Sequence, residues 1–210
     1  GMAVGAGQRV EAVTTDDAAE GLGINTRVHL AEAERALRKR INEHWMLEGV
    51  TVVDPETTYI EAGVTIGRDT TVWPNTHLRG ETVIGTHCTI GPNTIIEDCQ
   101  IGSRCKVLAS VLEQAVMEDD ADIGPFGHLR KGARMCQGAH MGNFGELKNT
   151  TLGPGAKMGH FSYLGDAQVG AGLDQGLQHV ELAGGCGVDD AGDAVDVAVV
   201  DVAAGGDELV

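Results

Sequence analysis

The chain has 210 residues, 31 of them glycine, with 3% aromatic residues and a formal net charge of −16. That length allows one or two domains with ample material for a core. The acidic balance argues against nucleic acid or an anionic membrane as the main partner. The longest apolar runs fall short of a membrane span, and no secretory signal opens the chain. The five cysteines, Cys88, Cys99, Cys105, Cys136 and Cys186, form no CxxC pair and fit no zinc spacing. They read as reduced thiols of a cytoplasmic protein.

The first element in chain order is a helix. Leu30, Ala33, Leu37, Ile41 and Trp45 recur at helical spacing with Glu and Arg between them, up to Gly49. This predicts a helix over 28–50. A single helix cannot bury its own apolar stripe, so it must pack on whatever follows or on a further domain.

From Ile60 a different rhythm begins: Ile60, Ile66, Val72, Leu78, Ile84, Ile90 and Ile96 lie at an unbroken interval of six. The step slips by one at Ile101 and again near Leu112, runs regularly from Ile123 through Leu129, Met135 and Met141 to Leu147, then slips once more to give Leu152, Met158 and Leu164. A helix would repeat every three and four residues and a strand every two. A six-residue period is the mark of a parallel β-helix, in which three hexapeptides close one coil of about 18 residues. Neighbouring coils then lie about 4.8 Å apart. Glycine follows an aliphatic at Gly67, Gly85, Gly91, Gly102 and Gly124, where a tight corner suits it. The repeat predicts roughly six coils.

Residues 171–210 break the pattern. They contain no Lys, Arg or aromatic residue and carry nine of the acids, and from Ala183 almost every residue is Ala, Gly, Val, Asp or Glu. These residues share codons beginning with G. The stretch is expected to be irregular, and either a natural acidic tail or a segment read out of frame or from the wrong strand of a GC-rich gene. Resequencing the transcript decides between the two.

Coil arithmetic makes a claim about chemistry. Arg130 and Lys148 stand 18 residues apart with no slip between them, so two cations stack on adjacent coils. Like charges so placed repel, and an anion between them is expected: arginine holds phosphate bidentately and lysine adds a point charge. The alternative is a pair of solvated cations on an outer face. Past the slip at Leu152, His160 stacks over Asn143 and Tyr163 over Glu146; either lower residue could orient the imidazole. His77, His87, His128 and His140 share no register and make no metal site. Glu118, Asp119, Asp120 and Asp122 read as a solvated acidic face.

The runs LGINTRVHLAEAERALRKRIN, IGPFGHLRKGA, HMGNFGELKN and LGPGAKMGHFSYLGDAQVG complete the pattern. Residues 8–170 resemble the middle of the bifunctional bacterial N-acetylglucosamine-1-phosphate uridyltransferase and glucosamine-1-phosphate acetyltransferase. The resemblance implies a mainly β fold, a left-handed parallel β-helix preceded by one long α-helix. It implies four segments: 1–27 as a remnant of the nucleotidyltransferase domain, 28–50 as a linker helix, 51–170 as an incomplete acetyltransferase β-helix, and 171–210 as the altered tail.

It further implies a homotrimer with active sites between subunits, taking a small amino-sugar phosphate. His160 is then the base, and Arg130, Lys148 and Tyr163 hold glucosamine-1-phosphate. Asn25 matches the family's Mg²⁺ and nucleotide-sugar ligand, but its partner carboxylate and phosphate loop are missing, so no uridyltransferase activity is expected. Acetyl-CoA is the implied donor. The family's sugar-binding Asn falls at Asp174, and its acetyl-CoA contacts are unrecognisable in the tail. Weak or absent acetyl transfer is the expectation, or else a non-catalytic trimerising fragment with a vestigial sugar-phosphate pocket.

Overall fold

The computed structural model describes residues 5–7, 9, 11, 14 and 21–175. The 176–210 part of the acidic tail, and the frame question attached to it, lie outside the described residues. The chain divides into two units, 1–40 and 41–210. Among the described residues no helix is long and apolar enough to cross a membrane.

The helix is α1 (Arg27–Leu47). Thr26 caps its start, its hydroxyl accepting the His29 N–H at 3.2 Å. At the other end the Val50 N–H bonds the Trp45 carbonyl and the Gly49 N–H bonds the Met46 carbonyl, with Gly49 at φ 95°. This paired closure needs a left-handed residue, which glycine supplies. Ile41 and Trp45 of the predicted stripe pack on the core of the second unit, whereas Leu30 and Leu37 are exposed. Asn42, only 1% exposed, ties the last turns down by donating its amide to the carbonyls of Pro55 at 2.9 Å and Thr58 at 3.1 Å.

Among the described residues twenty-two short strands follow, from β1 (Thr51–Val52) to β22 (Asp174–Gln175). Each pairs in parallel with the third strand along, giving one eight-stranded and two seven-stranded sheets. The second unit is thus a three-sided parallel β-solenoid of about seven turns, one more than the six-residue step suggests. The first turn escaped the periodicity because the Asp54–Thr58 loop stretches the interval from Val52 to Ile60 to eight. Asp54 organises that loop: its carboxylate accepts from Thr57 Oγ1 at 2.7 Å and from the Glu56 N–H at 3.1 Å.

Every step residue points inward. Val72, Leu78, Ile90, Ile96, Leu112, Leu129, Met135, Met141, Leu147 and Leu152 are all 0% exposed. Each such side chain contributes about 1.5–3 kcal/mol of transfer free energy. The slips cost nothing in register. Where a corner loses one residue, as between Leu147 and Leu152, the strands still align, with Leu152 paired to Met135 below it and Val169 above. At that corner the left-handed position passes from glycine, Gly80 and Gly132, to Asp98, Gln114, Asn149 and Asp166. β22 pairs with β19 (Lys157–Met158), aligning the Asp174 backbone with Lys157.

Candidate functional site

Strand pairing in the second sheet places the chemistry. β14 (His128–Leu129) lies under β17 (Glu146–Lys148), with Leu129 facing Leu147, so Arg130 and Lys148 are neighbours on successive coils. β17 in turn lies under β20 (Tyr163–Gly165), pairing Glu146 with Tyr163 and Lys148 with Gly165. The stacking expected from the 18-residue interval is present.

The electrostatics differ from the expectation of two unrelieved cations. Arg130 Nη1 lies 3.0 Å from Glu146 Oε1, and Lys148 Nζ lies 3.9 Å from Asp166 Oδ2. Asn149 holds Asp166 in place, donating to its other oxygen at 2.7 Å. Carboxylates therefore relieve the repulsion, which by itself no longer demands an anion. Both ion pairs are about half exposed, and pairs of that kind stabilise by at most about 1 kcal/mol. A dianionic ligand can replace them without large loss.

Arg130, Lys148, Asn149 and Asp166 line a cleft of about 630 Å³ together with Glu97, Glu113, Gln114, Lys131 and Gly132. Along the strand edge the order is Arg79, Glu97, Glu113, Arg130, Lys148 and Gly165. On this strand edge the acids Glu97 and Glu113 give way to the cations Arg130 and Lys148, with Asp166 paired to Lys148 at the cationic end.

Tyr163 is 54% exposed. Its ring folds back across its own strand, for a Cβ on Gly165 would lie 2.5 Å from the phenol oxygen. Since Gly165 is paired with Lys148, the hydroxyl leans toward the cation column. Gly165 was not among the residues read from sequence as functional. The signal was the glycine two positions past the tyrosine, on the same face of an extended strand.

His160 sits at the corner leading into β20, exposed, one coil above Asn143: the Phe161 N–H bonds the Asn143 carbonyl at 3.2 Å. Its Nδ1 would be 3.0 Å from a Cβ on Gly142, so that glycine leaves room for the ring. Phe126, Phe144 and Phe161, all the phenylalanines of the chain, form an exposed column beside it, with successive ring centroids 5.0 Å apart. All three adopt positive φ, between 52° and 61°, a conformation bulky residues rarely take.

The remaining candidates lie elsewhere. His128 pairs with Glu113 at 3.1 Å, His140 with Asp122 at 2.6 Å, and His77 stacks face to face on Tyr59 with ring centroids 4.6 Å apart. Arg104 bonds Asp119 and Asp120, so these acids are paired rather than merely solvated. Asn25 lies in the first unit, exposed, just before α1, its own N–H bonding His29 Nδ1 at 3.3 Å. Among the described residues no three His, Cys, Asp or Glu side chains gather where a metal could bind.

The bacterial transferase hexapeptide (six repeats) family pattern matches residues 63–98. The bifunctional protein GlmU of Shouchella clausii is 45% identical over 147 residues, 70% of this chain and 32% of that protein. GlmU of Geotalea uraniireducens is 47% identical over 144 residues, 68% of this chain and 32% of its own length. The chain is a homologue of the bifunctional GlmU proteins. It spans about a third of the length of these curated relatives, and the matching part is their C-terminal hexapeptide-repeat region. Among solved structures, LpxA from Acinetobacter baumannii aligns with 60% of this chain and 64% of its own at 11% identity and a TM-score of 0.45. This last likeness carries no functional argument.

Proposed function

We propose that the coil region is an N-acetyltransferase for glucosamine-1-phosphate, using acetyl-CoA, in the cytoplasmic synthesis of UDP-N-acetylglucosamine for the cell wall. One observation carries the reading. Arg130, Lys148 and the Tyr163 hydroxyl converge on one strand edge, with His160 at the adjoining corner. Arg130 and Lys148 bind the sugar phosphate, displacing Glu146 and Asp166 from their ion pairs, and Tyr163 donates to a phosphate or sugar oxygen. His160 takes a proton from the sugar ammonium. The free amine then attacks the thioester carbonyl, the C–N bond forms, the C–S bond breaks, and the thiolate leaves as the thiol. A neutral imidazole has the free ring nitrogen that this proton transfer needs.

The reading includes a homotrimer. Its support is the open cleft on a narrow coil, with partly exposed apolar side chains such as Ile95 and Val111 on the same sheet face. Sedimentation at tens of micromolar tests it, and a monomer rejects it.

A second reading, a non-catalytic trimerising β-helix with a vestigial sugar-phosphate pocket, has its own support: both cations already hold carboxylates. Calorimetric titration with glucosamine-1-phosphate and acetyl-CoA, followed by an acetylation assay, separates the two. The acetyltransferase reading expects weak acetylation by the parent chain that disappears in H160A while sugar-phosphate binding persists. Sugar-phosphate binding with no acetylation at any acetyl-CoA concentration selects the second reading.

A further inference from the structure

Two side chains one coil below the base are near enough in register to orient it. Asn143 lies directly beneath His160, and Glu146 lies beneath Tyr163. The structure separates them. Glu146 is committed elsewhere, its Oε1 accepting from Arg130 at 3.0 Å. Asn143 is not: its Oδ1 is shut off from solvent and has no hydrogen-bond partner among the described residues. A buried carbonyl oxygen left without a donor is destabilising, so this orphan calls for a partner.

The imidazole of His160 is the complement. It is exposed, with no ring hydrogen bond among the described residues, and it rests low over the coil beneath. Its Nδ1 is the atom closest to the site of a missing Gly142 side chain, at 3.0 Å. Any side chain at residue 142 would stand between the ring and the coil carrying Asn143.

We propose that Asn143 is the positioning residue for His160: its Oδ1 accepts the Nδ1–H, fixing the tautomer that leaves Nε2 free to take the amine proton. This rests on the reading of His160 as the base. The bond is open in the free chain and closes when substrate settles the ring, as such contacts often do. A neutral amide suits the place. It orients the imidazole without adding a negative charge beside the phosphate that Arg130 and Lys148 hold. Leaving Glu146 to the cations also keeps the two tasks, phosphate binding and ring orientation, on different side chains.

The test uses the full chain labelled with nitrogen-15, with long-range nitrogen–proton correlation reporting the tautomer of His160, read free and with saturating glucosamine-1-phosphate. The parent with ligand is expected to show Nδ1 protonated and Nε2 bare. N143A should return the ring to the Nε2–H form that free imidazoles favour, while E146Q and N143D, which keep the amide or restore an acceptor, keep the parent signature. Circular dichroism checks that N143A folds, and N143D against the parent serves where it does not. A parent ring held as the Nε2–H tautomer, an N143A spectrum unchanged from the parent, or an E146Q spectrum that alone changes overturns the proposal. Failure of the functional reading looks different. Glucosamine-1-phosphate then fails to bind the parent chain, whereas failure of the Asn143 proposal leaves that binding intact and changes only the tautomer read with ligand bound.

Discussion

The phenol of Tyr163 lies across Gly165, with its oxygen 2.5 Å from where a Cβ would be. Because Gly165 is the register partner of Lys148, this one missing side chain aims the hydroxyl at the cation column. G165A must therefore push the ring off that path. The displaced atom is the end of an exposed side chain, so the fold need not move. The expected result is unchanged thermal stability with about tenfold weaker glucosamine-1-phosphate binding, the loss of one hydrogen bond to a charged group. Y163F should weaken binding to the same degree. Full-strength binding by both variants in calorimetry would remove Tyr163 from the site.

The two cations differ in kind. Arg130 can hold two phosphate oxygens at once, and lysine cannot reproduce that geometry. R130K is expected to weaken glucosamine-1-phosphate binding by about tenfold or more despite its conserved charge, and K148A by a similar factor. Binding to the parent should also weaken as salt rises from low to physiological strength, since both groups are half exposed. Salt-independent binding would place the ligand elsewhere.

Asn42 joins α1 to the first turn. Its amide satisfies the carbonyls of Pro55 and Thr58, and the residue is 1% exposed. N42A leaves both carbonyls without that donor inside the structure. A loss of about 1–3 kcal/mol is expected in denaturant unfolding. N42D, which lacks the amide donor and adds a buried charge, should lose more. An N42A midpoint equal to the parent's would mean water replaces the amide.

Burial first, and the Arg79 guanidinium second, hold the His77 imidazole below its ordinary value of 6.5. Between that lowered value and about 6.5, the unfolded chain binds a proton that the folded chain refuses. This contribution to stability is therefore complete above about pH 6.5 and is lost as pH falls through the folded value. H77F keeps an aromatic ring to stack on Tyr59 and removes the titration. Its melting temperature should fall less than the parent's on acidification. Parallel slopes for the two proteins would mean that His77 titrates alike in both states.

The interval of six was enough to determine the solenoid, because each repeat supplies one inward side chain and the coil has no other way to bury it. It also determined that Arg130 and Lys148 are neighbours, since no slip falls between Leu129 and Leu147. The first turn was hidden because a loop stretches Val52 to Ile60 without disturbing the pairing of Val52 with Val72 and Ile60 with Leu78. What the side chains do was decided only by tertiary structure. Glu146 and Asp166 meet Arg130 and Lys148 16 and 18 residues away in sequence, across corners of unequal length. A linear spacing carries no record of such a reach, because it depends on where each corner turns and how a long side chain leans between coils. The same is true of Asn143. Sequence puts it under His160 beside an equally eligible Glu146, and only the geometry shows that one of the two is already held and the other is left without a donor.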